Sequence, residues 1–162
     1  MQFNVQKILK EFQHLPKFED GRIDYSNVSK APVLLCFVRF QNKILLVKRS
    51  NKVGNYQGKW NVVAGFIDEP KPLKDKVLEE LQEELGIQDE QIDVMLFRDS
   101  YEVHDKNVNK TWIVYPVIVE MKNKPEITLD WEHTEFVWIT PEEIKNYDTI
   151  VQYEEAKKVL ED

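Results

Sequence analysis

The chain has 162 residues, of which 42% are apolar and 31% are charged, and its formal net charge is −7 at pH 7. This composition fits one soluble domain with a full-sized core and excludes a disordered chain, and no apolar run is long enough to cross a bilayer. The excess of acidic over basic residues, 29 against 22, argues against long nucleic acid as a partner. The lone Cys36 leaves no disulfide within the chain, and the polar N-terminus lacks an apolar signal region. We therefore expect a cytoplasmic protein without a membrane partner.

The first part of the chain is predicted to be an extension, residues 1–30, that consists of a short helix and a loop. The helix is indicated by apolar residues at helical spacing: Val5, Ile8, Leu9 and Phe12. Dense apolar segments at residues 32–40 and 43–48 predict two strands that a two-residue turn joins into a hairpin. A further strand is predicted at residues 60–66.

The second half of the chain is predicted to alternate fewer helices with more strands. Strands are expected at about residues 92–104, 111–121 and 135–139. A short helix should begin at Pro141, and a last helix is expected at residues 153–160. Because strands outnumber helices and no linker or repeat interrupts the chain, we expect one α/β domain over residues 1–162, with a mixed sheet covered by helices on both faces.

Residues 73–85 form the clearest helix in the sequence, with an apolar stripe every fourth residue and a C-terminal stop at Gly86. Glu83 and Glu84 follow Glu80 by three and four positions, and the three carboxylates gather at the edge of that stripe. Like charges at this spacing repel, and a hard dication such as Mg²⁺ relieves the repulsion because it prefers carboxylate oxygens. The alternative is a solvated acidic face without a metal.

The segment 65–87 resembles the Nudix box, whose signature is G-x5-E-x7-R-E-U-x-E-E-x-G-U, where U is aliphatic. The signature residues that match are Gly65, Glu80, Leu81, Glu83, Glu84, Gly86 and Ile87. Two positions depart, since Lys71 stands where the family has Glu and Glu79 where it has Arg. Flanking motifs extend the resemblance over roughly residues 32–146.

The resemblance implies a Nudix-type α/β/α sandwich around a mixed β-sheet, and hydrolysis of a nucleoside diphosphate linked to another moiety. It implies Mg²⁺, with Mn²⁺ as the alternative, held by the box glutamates and the backbone carbonyl of Ala64. The general base would be Glu83 or Glu80, or Glu132 on the loop before the last strand. The implied partner is a small phosphorylated nucleotide-type substrate, and a homodimer is left open.

The two departures in the box suggest one exchange of charge, in which Lys71 and Glu79 form a reversed ion pair that braces the loop against the helix. Two ordinary exposed charges on a decayed box are the alternative. Because a protonated lysine cannot coordinate a metal, we expect fewer metals or weaker binding than a full box gives. The departures also keep a second function open, a catalytically weak or inactive Nudix-fold nucleotide sensor.

Substrate contacts are predicted for Arg49, which ends the second strand and is suited to bidentate phosphate binding, and for Trp60, which is suited to stacking on a base. Surface exposure of Arg49 and core packing of Trp60 are the alternatives. We assign no site role to His104 or His133, because both lack the spacing of metal ligands.

Overall fold

The computed structural model describes residues 3–161, which form one eight-stranded sheet with helices on both faces. The strands are β1 (Lys30–Phe40), β2 (Lys43–Arg49), β3 (Trp60–Asn61), β4 (Val63–Phe66), β5 (Ile92–Phe97), β6 (Tyr101–Asp105), β7 (Lys110–Met121) and β8 (His133–Ile139). The α-helices are α1 (Val5–Leu9), α2 (Leu73–Leu85) and α3 (Tyr153–Leu160). Short 3₁₀ turns cover Lys10–Phe12, Asp89–Gln91 and Pro141–Asn146.

The sheet is mixed because its two long central strands, β1 and β7, run parallel, whereas every other pairing is antiparallel. On its other side β1 pairs with β4 and then with β2, and β2 continues the sheet to β3 and β8. Strands β5 and β6 both lie along the outer edge of β7. This topology brings the loop before β8 to the end of β2, where Arg49 lies opposite His133.

Alternating side chains of β1 feed two separate cores, one on each face of the sheet. Leu34 and Cys36 pack with the buried stripe of α2 and with α1, whereas Leu35 and Phe37 pack with α3 and the turn before it. A helix layer therefore covers each face, and the predicted α/β/α sandwich around a mixed sheet is confirmed. No helix within the described range 3–161 is long and apolar enough to span a membrane.

Two predicted strands are each divided in the structure. The segment 60–66 splits at the buried Val62, because β3 pairs with β2 whereas β4 pairs with β1. The segment 92–104 splits opposite Pro116, which has no N–H to continue the ladder, and there the N–H of Arg98 donates to the Pro116 carbonyl at 3.0 Å. The division of 60–66 matters most, since it places β4 beside α2 at the edge of a cleft.

Helix α2 has the predicted register, with the apolar stripe buried and Gly86 in the left-handed conformation (φ +73°) that ends the helix. The difference lies in the depth of one glutamate. Glu84 is 3% exposed, so it is buried with the stripe, and Glu83 beside it is exposed.

Candidate functional site

A cleft of about 560 Å³ opens on the α3 side of the sheet. Its floor is apolar and is formed by strand residues such as Val33, Leu35 and Val114. Carboxylates Glu80 and Glu132 line the cleft together with other charged side chains of both signs. The cleft therefore combines an apolar platform with a strongly polar region.

Three carboxylates meet at the polar region, Glu80 and Glu84 from α2 and Glu132 from the loop before β8. Glu84 Oε2 is buried and has no hydrogen-bond partner. Burial, reinforced by Glu80 and Glu132, raises the pKa of Glu84 well above its ordinary value. Burial likewise raises the pKa of Glu80, although Lys76 opposes the shift. Both shifts favour the protonated form of these carboxyls unless a positive charge is bound beside them.

Gly65 is the residue that lets Glu80 approach the cleft so closely. A Cβ at position 65 would lie 2.8 Å from both Cδ and Oε1 of Glu80. Such distances are shorter than real Cβ contacts, so only glycine fits beside the carboxylate in its present position. The box glycine is thus required by side-chain space, since its φ lies outside the left-handed region.

His133, to which the sequence assigned no role, is the residue that the prediction missed. Its side chain is 3% exposed, with Nε2 3.8 Å from Glu84 Oε1 and Nδ1 3.5 Å from Asp130 Oδ1. Burial lowers the pKa of His133, which favours the neutral imidazole. Glu84, Glu132 and His133 each offer a ligand atom within 4.8 Å of one another. The only signal in the sequence was that His133 directly follows Glu132. The number of residues between His133 and α2 matches no known motif.

The other predicted ligands lie in different surroundings. Ala64 lines the cleft beside Gly65. Glu83 is exposed and does not line the cleft, although its charge contributes to the raised pKa of Glu80. Among the described residues, the grouped ligand atoms are therefore those of Glu84, Glu132 and His133, and the set is centred deeper than the sequence suggested.

The two departures from the box are in contact. Lys71 Nζ forms an ion pair with Glu79, and the Lys71 hydrogen bond lowers the pKa of the Glu79 carboxyl. A third residue joins them from the N-terminal extension, because Arg22 donates a hydrogen bond to Glu79 Oε1 at 3.0 Å. Two further bonds tie the extension to the loop before α2, from the N–H of Ile23 to the Asp68 carbonyl at 2.9 Å and from the Tyr25 hydroxyl to the Ile67 carbonyl at 2.6 Å.

A buried lysine on α2 links this ion-pair group to the carboxylate cluster. Lys76 has a side chain only 4% exposed, and its Nζ lies 3.2 Å from Asp68 Oδ1 and 3.7 Å from Glu80 Oε1. Although burial lowers it, these carboxylates raise the pKa of Lys76 overall, so the side chain stays charged. Glu84, the most buried acid, has no lysine or arginine within ion-pair distance among the contacts that the described residues make.

The two predicted substrate residues differ in their placement. Arg49 lines the cleft, and its Nε and Nη2 donate to the carbonyl of Asn55 at 3.1 and 3.0 Å, so its guanidinium is held in place. Trp60 does not line the cleft; its ring packs against Tyr147 at a centroid distance of 5.3 Å and thus belongs to a core cluster. The predicted stacking role therefore does not suit Trp60.

Other aromatic residues line the cleft instead. Trp112 is half-buried on β7, and its Nε1 donates to the Tyr56 hydroxyl at 3.2 Å. Phe66 is 40% exposed, and the centroid of its ring lies 6.2 Å from the ring centroid of Trp112. An exposed aromatic surface of this kind suits a planar ligand group.

The donor set at the polar region fits a divalent cation. Glu84 offers a buried oxygen without a partner, and two more carboxylates lie against it. Hard dications are bound through carboxylate and carbonyl oxygens, and Ala64 is adjacent to the site. Without a bound cation, the cluster brings like charges together around a buried carboxylate. That arrangement is unfavourable unless the carboxyl groups are protonated.

Comparisons with known proteins agree with this architecture. Residues 29–160 match the family model described as the NUDIX domain. A nucleoside triphosphatase NudI from Escherichia fergusonii is 25% identical over 109 residues, 64% of this chain and 77% of the relative. The dihydroneopterin triphosphate pyrophosphohydrolase of E. coli superposes with a TM-score of 0.65 at 14% identity, covering 78% of this chain and 92% of that one. The NUDIX domain of Shewanella oneidensis NrtR, complexed with ADP ribose, gives a TM-score of 0.64 at 17% identity, with 83% and 90% coverage.

Proposed function

The chain belongs to the Nudix family, and from this premise we propose that it is a Mg²⁺-dependent hydrolase that cleaves the diphosphate bond of a nucleoside diphosphate linked to another moiety. The observation that carries the proposal is the buried Glu84 carboxylate, whose Oε2 has no hydrogen-bond partner while Glu80 and Glu132 lie against it. Placing two further carboxylates against a buried one costs free energy, and the fold alone does not require it.

The residues proposed to hold the dication are Glu80, Glu84 and Glu132 with the carbonyl of Ala64, and the exposed Glu83 is the further ligand that the box implies. When bound, the metal supplies positive charge for phosphate oxygens and lowers the pKa of a water ligand, with Mn²⁺ as the alternative to Mg²⁺. The carboxylates would hold the metal at the edge of the cleft, close to the diphosphate of a substrate bound there.

Glu132 is the preferred general base, because its backbone is fixed on both sides and one carboxylate oxygen remains for the proton when the other binds the metal. Its N–H donates to Asp130 Oδ1 at 3.1 Å, and its carbonyl accepts from the Ser50 N–H at 2.7 Å. A carboxylate positioned in this way can take the proton of the attacking water. Glu80 and Glu83 remain the alternative bases, and Glu80→Gln and Glu83→Gln test them in the assay below.

Arg49 is proposed to bind a phosphate oxygen of the substrate, since its guanidinium is preorganised by Asn55 at the cleft wall. The planar part of the substrate would lie against Trp112 and Phe66. The relatives support a small nucleotide-type substrate, since their names specify nucleoside triphosphates, dihydroneopterin triphosphate and ADP ribose. The negative net charge favours such a small molecule over long nucleic acid.

The test is a panel of nucleoside triphosphates, ADP-ribose, dinucleotides and nucleotide sugars, each with and without Mg²⁺. We expect turnover of at least one compound, dependent on the metal and reduced by more than about 100-fold in Glu84→Gln and in Glu132→Gln. The matched control is Glu90→Gln, which removes an exposed carboxylate in the turn after α2. Turnover that survives in Glu84→Gln, or that ignores a chelator, contradicts the proposal.

A second candidate is a nucleotide sensor with little or no catalysis, which the altered box residues Lys71 and Glu79 favour. Binding of a panel member by calorimetry, without product under any metal, would establish it over the hydrolase. The cytoplasmic location and a homodimer remain predictions, and analytical ultracentrifugation of the purified chain decides the second.

A further inference from the structure

The imidazole of His133 lies inside the carboxylate cluster and faces an oxygen without making a hydrogen bond to it. Its Nε2 is 3.8 Å from Glu84 Oε1, and the two side chains are 3% and 4% exposed. That separation exceeds the length of a normal hydrogen bond. A buried imidazole and a buried carboxylate thus lie side by side with a gap between them.

The gap is no wider than two ligands of one shared ion allow. A nitrogen and an oxygen that each lie about 2.1 Å from one metal ion are separated by at most about 4.2 Å. The observed 3.8 Å falls within this limit. Glu84 also carries the unpartnered Oε2, and Glu132 completes a group whose ligand atoms lie within 4.8 Å of one another.

The second nitrogen of the ring has the neighbour that a metal-binding histidine usually has. His133 Nδ1 lies 3.5 Å from Asp130 Oδ1, and the buried Nδ1 has no hydrogen-bond partner. A ligating histidine commonly directs its other N–H towards a carboxylate, which fixes the tautomer and the ring orientation. A proton on Nδ1, towards Asp130, would leave the Nε2 lone pair directed at Glu84.

We propose that His133 is a metal ligand, so that Glu84, Glu132 and His133 form a mixed oxygen and nitrogen site for a first-row transition dication. The inference rests on the proposed metal-dependent function and adds to it a tighter binding of transition dications at the same site. Imidazole suits Zn²⁺ and the later first-row ions such as Co²⁺, whereas Mg²⁺ is bound almost entirely through oxygen. The chain should therefore distinguish transition ions from Mg²⁺ through one side chain.

The competing explanation is that His133 only orients Glu84 from behind the site. An orienting residue changes the affinity of every metal by about the same factor, because it acts through the shared carboxylate. A nitrogen ligand changes the affinity for Co²⁺ and Zn²⁺ and leaves that for Mg²⁺ nearly unaltered. The ratio of the two affinities therefore separates the two roles.

The experiment measures Co²⁺ and Mg²⁺ affinity by titration calorimetry of the full chain, for the native sequence, for His133→Gln and for His14→Gln. His14 is exposed in the N-terminal segment and serves as the matched control. We expect His133→Gln to weaken Co²⁺ binding by at least about 10-fold, with less than about a twofold change for Mg²⁺, and His14→Gln to change neither. Equal losses for both metals overturn the proposal.

A second measurement needs no variant and so does not depend on how His133→Gln folds. The native protein, labelled with ¹⁵N-histidine, is titrated with Zn²⁺ and observed by NMR. A large shift of one Nε2 resonance, with His14 and His104 unmoved, supports ligation, and unmoved imidazole resonances overturn it. Hydrolysis of the substrate panel with Mg²⁺ is assayed separately, so failure of the histidine proposal and failure of the hydrolase proposal give different results.

Discussion

Gly65→Ala should displace the carboxylate of Glu80 and lower activity while leaving the stability of the fold nearly unchanged. The added Cβ would lie 2.8 Å from Cδ and Oε1 of Glu80, whereas ordinary contacts begin at 3.4 Å, so the carboxylate has to move by about 0.6 Å. Functional sites tolerate displacements of only about 0.5 Å, and a misplacement of about 1 Å costs on the order of 100-fold in rate. We therefore expect kcat/KM to fall by about 10- to 100-fold.

The free energy of unfolding should change by less than about 1 kcal/mol, because the displaced group is the end of a side chain and alanine restricts the unfolded chain. Steady-state kinetics with Mg²⁺, Mn²⁺ affinity and thermal unfolding are the three measurements. Gly54→Ala is the control, since a Cβ there meets nothing within 4 Å. Full activity in Gly65→Ala, or a collapse of stability instead of activity, would refute the reasoning.

Three further predictions concern charge, pH and stacking. Lys71→Glu and Glu79→Arg should each lower kcat/KM, and the double variant should recover only part of the loss because Arg22 then faces an arginine; purely additive effects in the cycle contradict the pairing. With a chelator present, thermal stability should decline as pH rises from 4.5 through the raised pKa of Glu84, because the folded state holds a proton that the unfolded state has already released. An equally steep decline in Glu84→Gln would show that another group causes the pH dependence. Trp112→Leu should raise KM at least about fivefold with little change in kcat, since aromatic stacking on a base is worth roughly 1–3 kcal/mol. An unchanged steady-state KM would show that Trp112 does not bind the substrate.

The ion-pair contacts also give the N-terminal extension a defined place in the molecule. Arg22 reaches Glu79 from outside the matched region 29–160, and the extension holds the loop at Asp68 through a backbone hydrogen bond. Because Glu79 immediately precedes Glu80, the extension contacts the helix that carries the carboxylates directly beside one of them. The sequence offered no sign of this contact, since residues far apart in the chain carry no common period.

The local parts of the site were accessible from the sequence because each depends on neighbours along the chain. Glu80 and Glu84 share a helix face through the period of the helix itself, and Gly86 ends the helix by its own backbone preference. The same logic named Trp60 as the stacking residue and assigned no role to Trp112. Both are aromatic residues on strands, and only the pairing of those strands decides which ring reaches the cleft.

The sequence by itself determined the order of helices and strands, the carboxylate helix and the family to which the box belongs, because these follow from local spacing. The tertiary structure decided how deep Glu84 lies, that Glu132 and His133 meet it, and that Trp112 lines the cleft. Those placements come from strand register and from loops that join distant segments. Contacts of that kind depend on the whole fold burying its apolar surface at once, and no short stretch of residues encodes them.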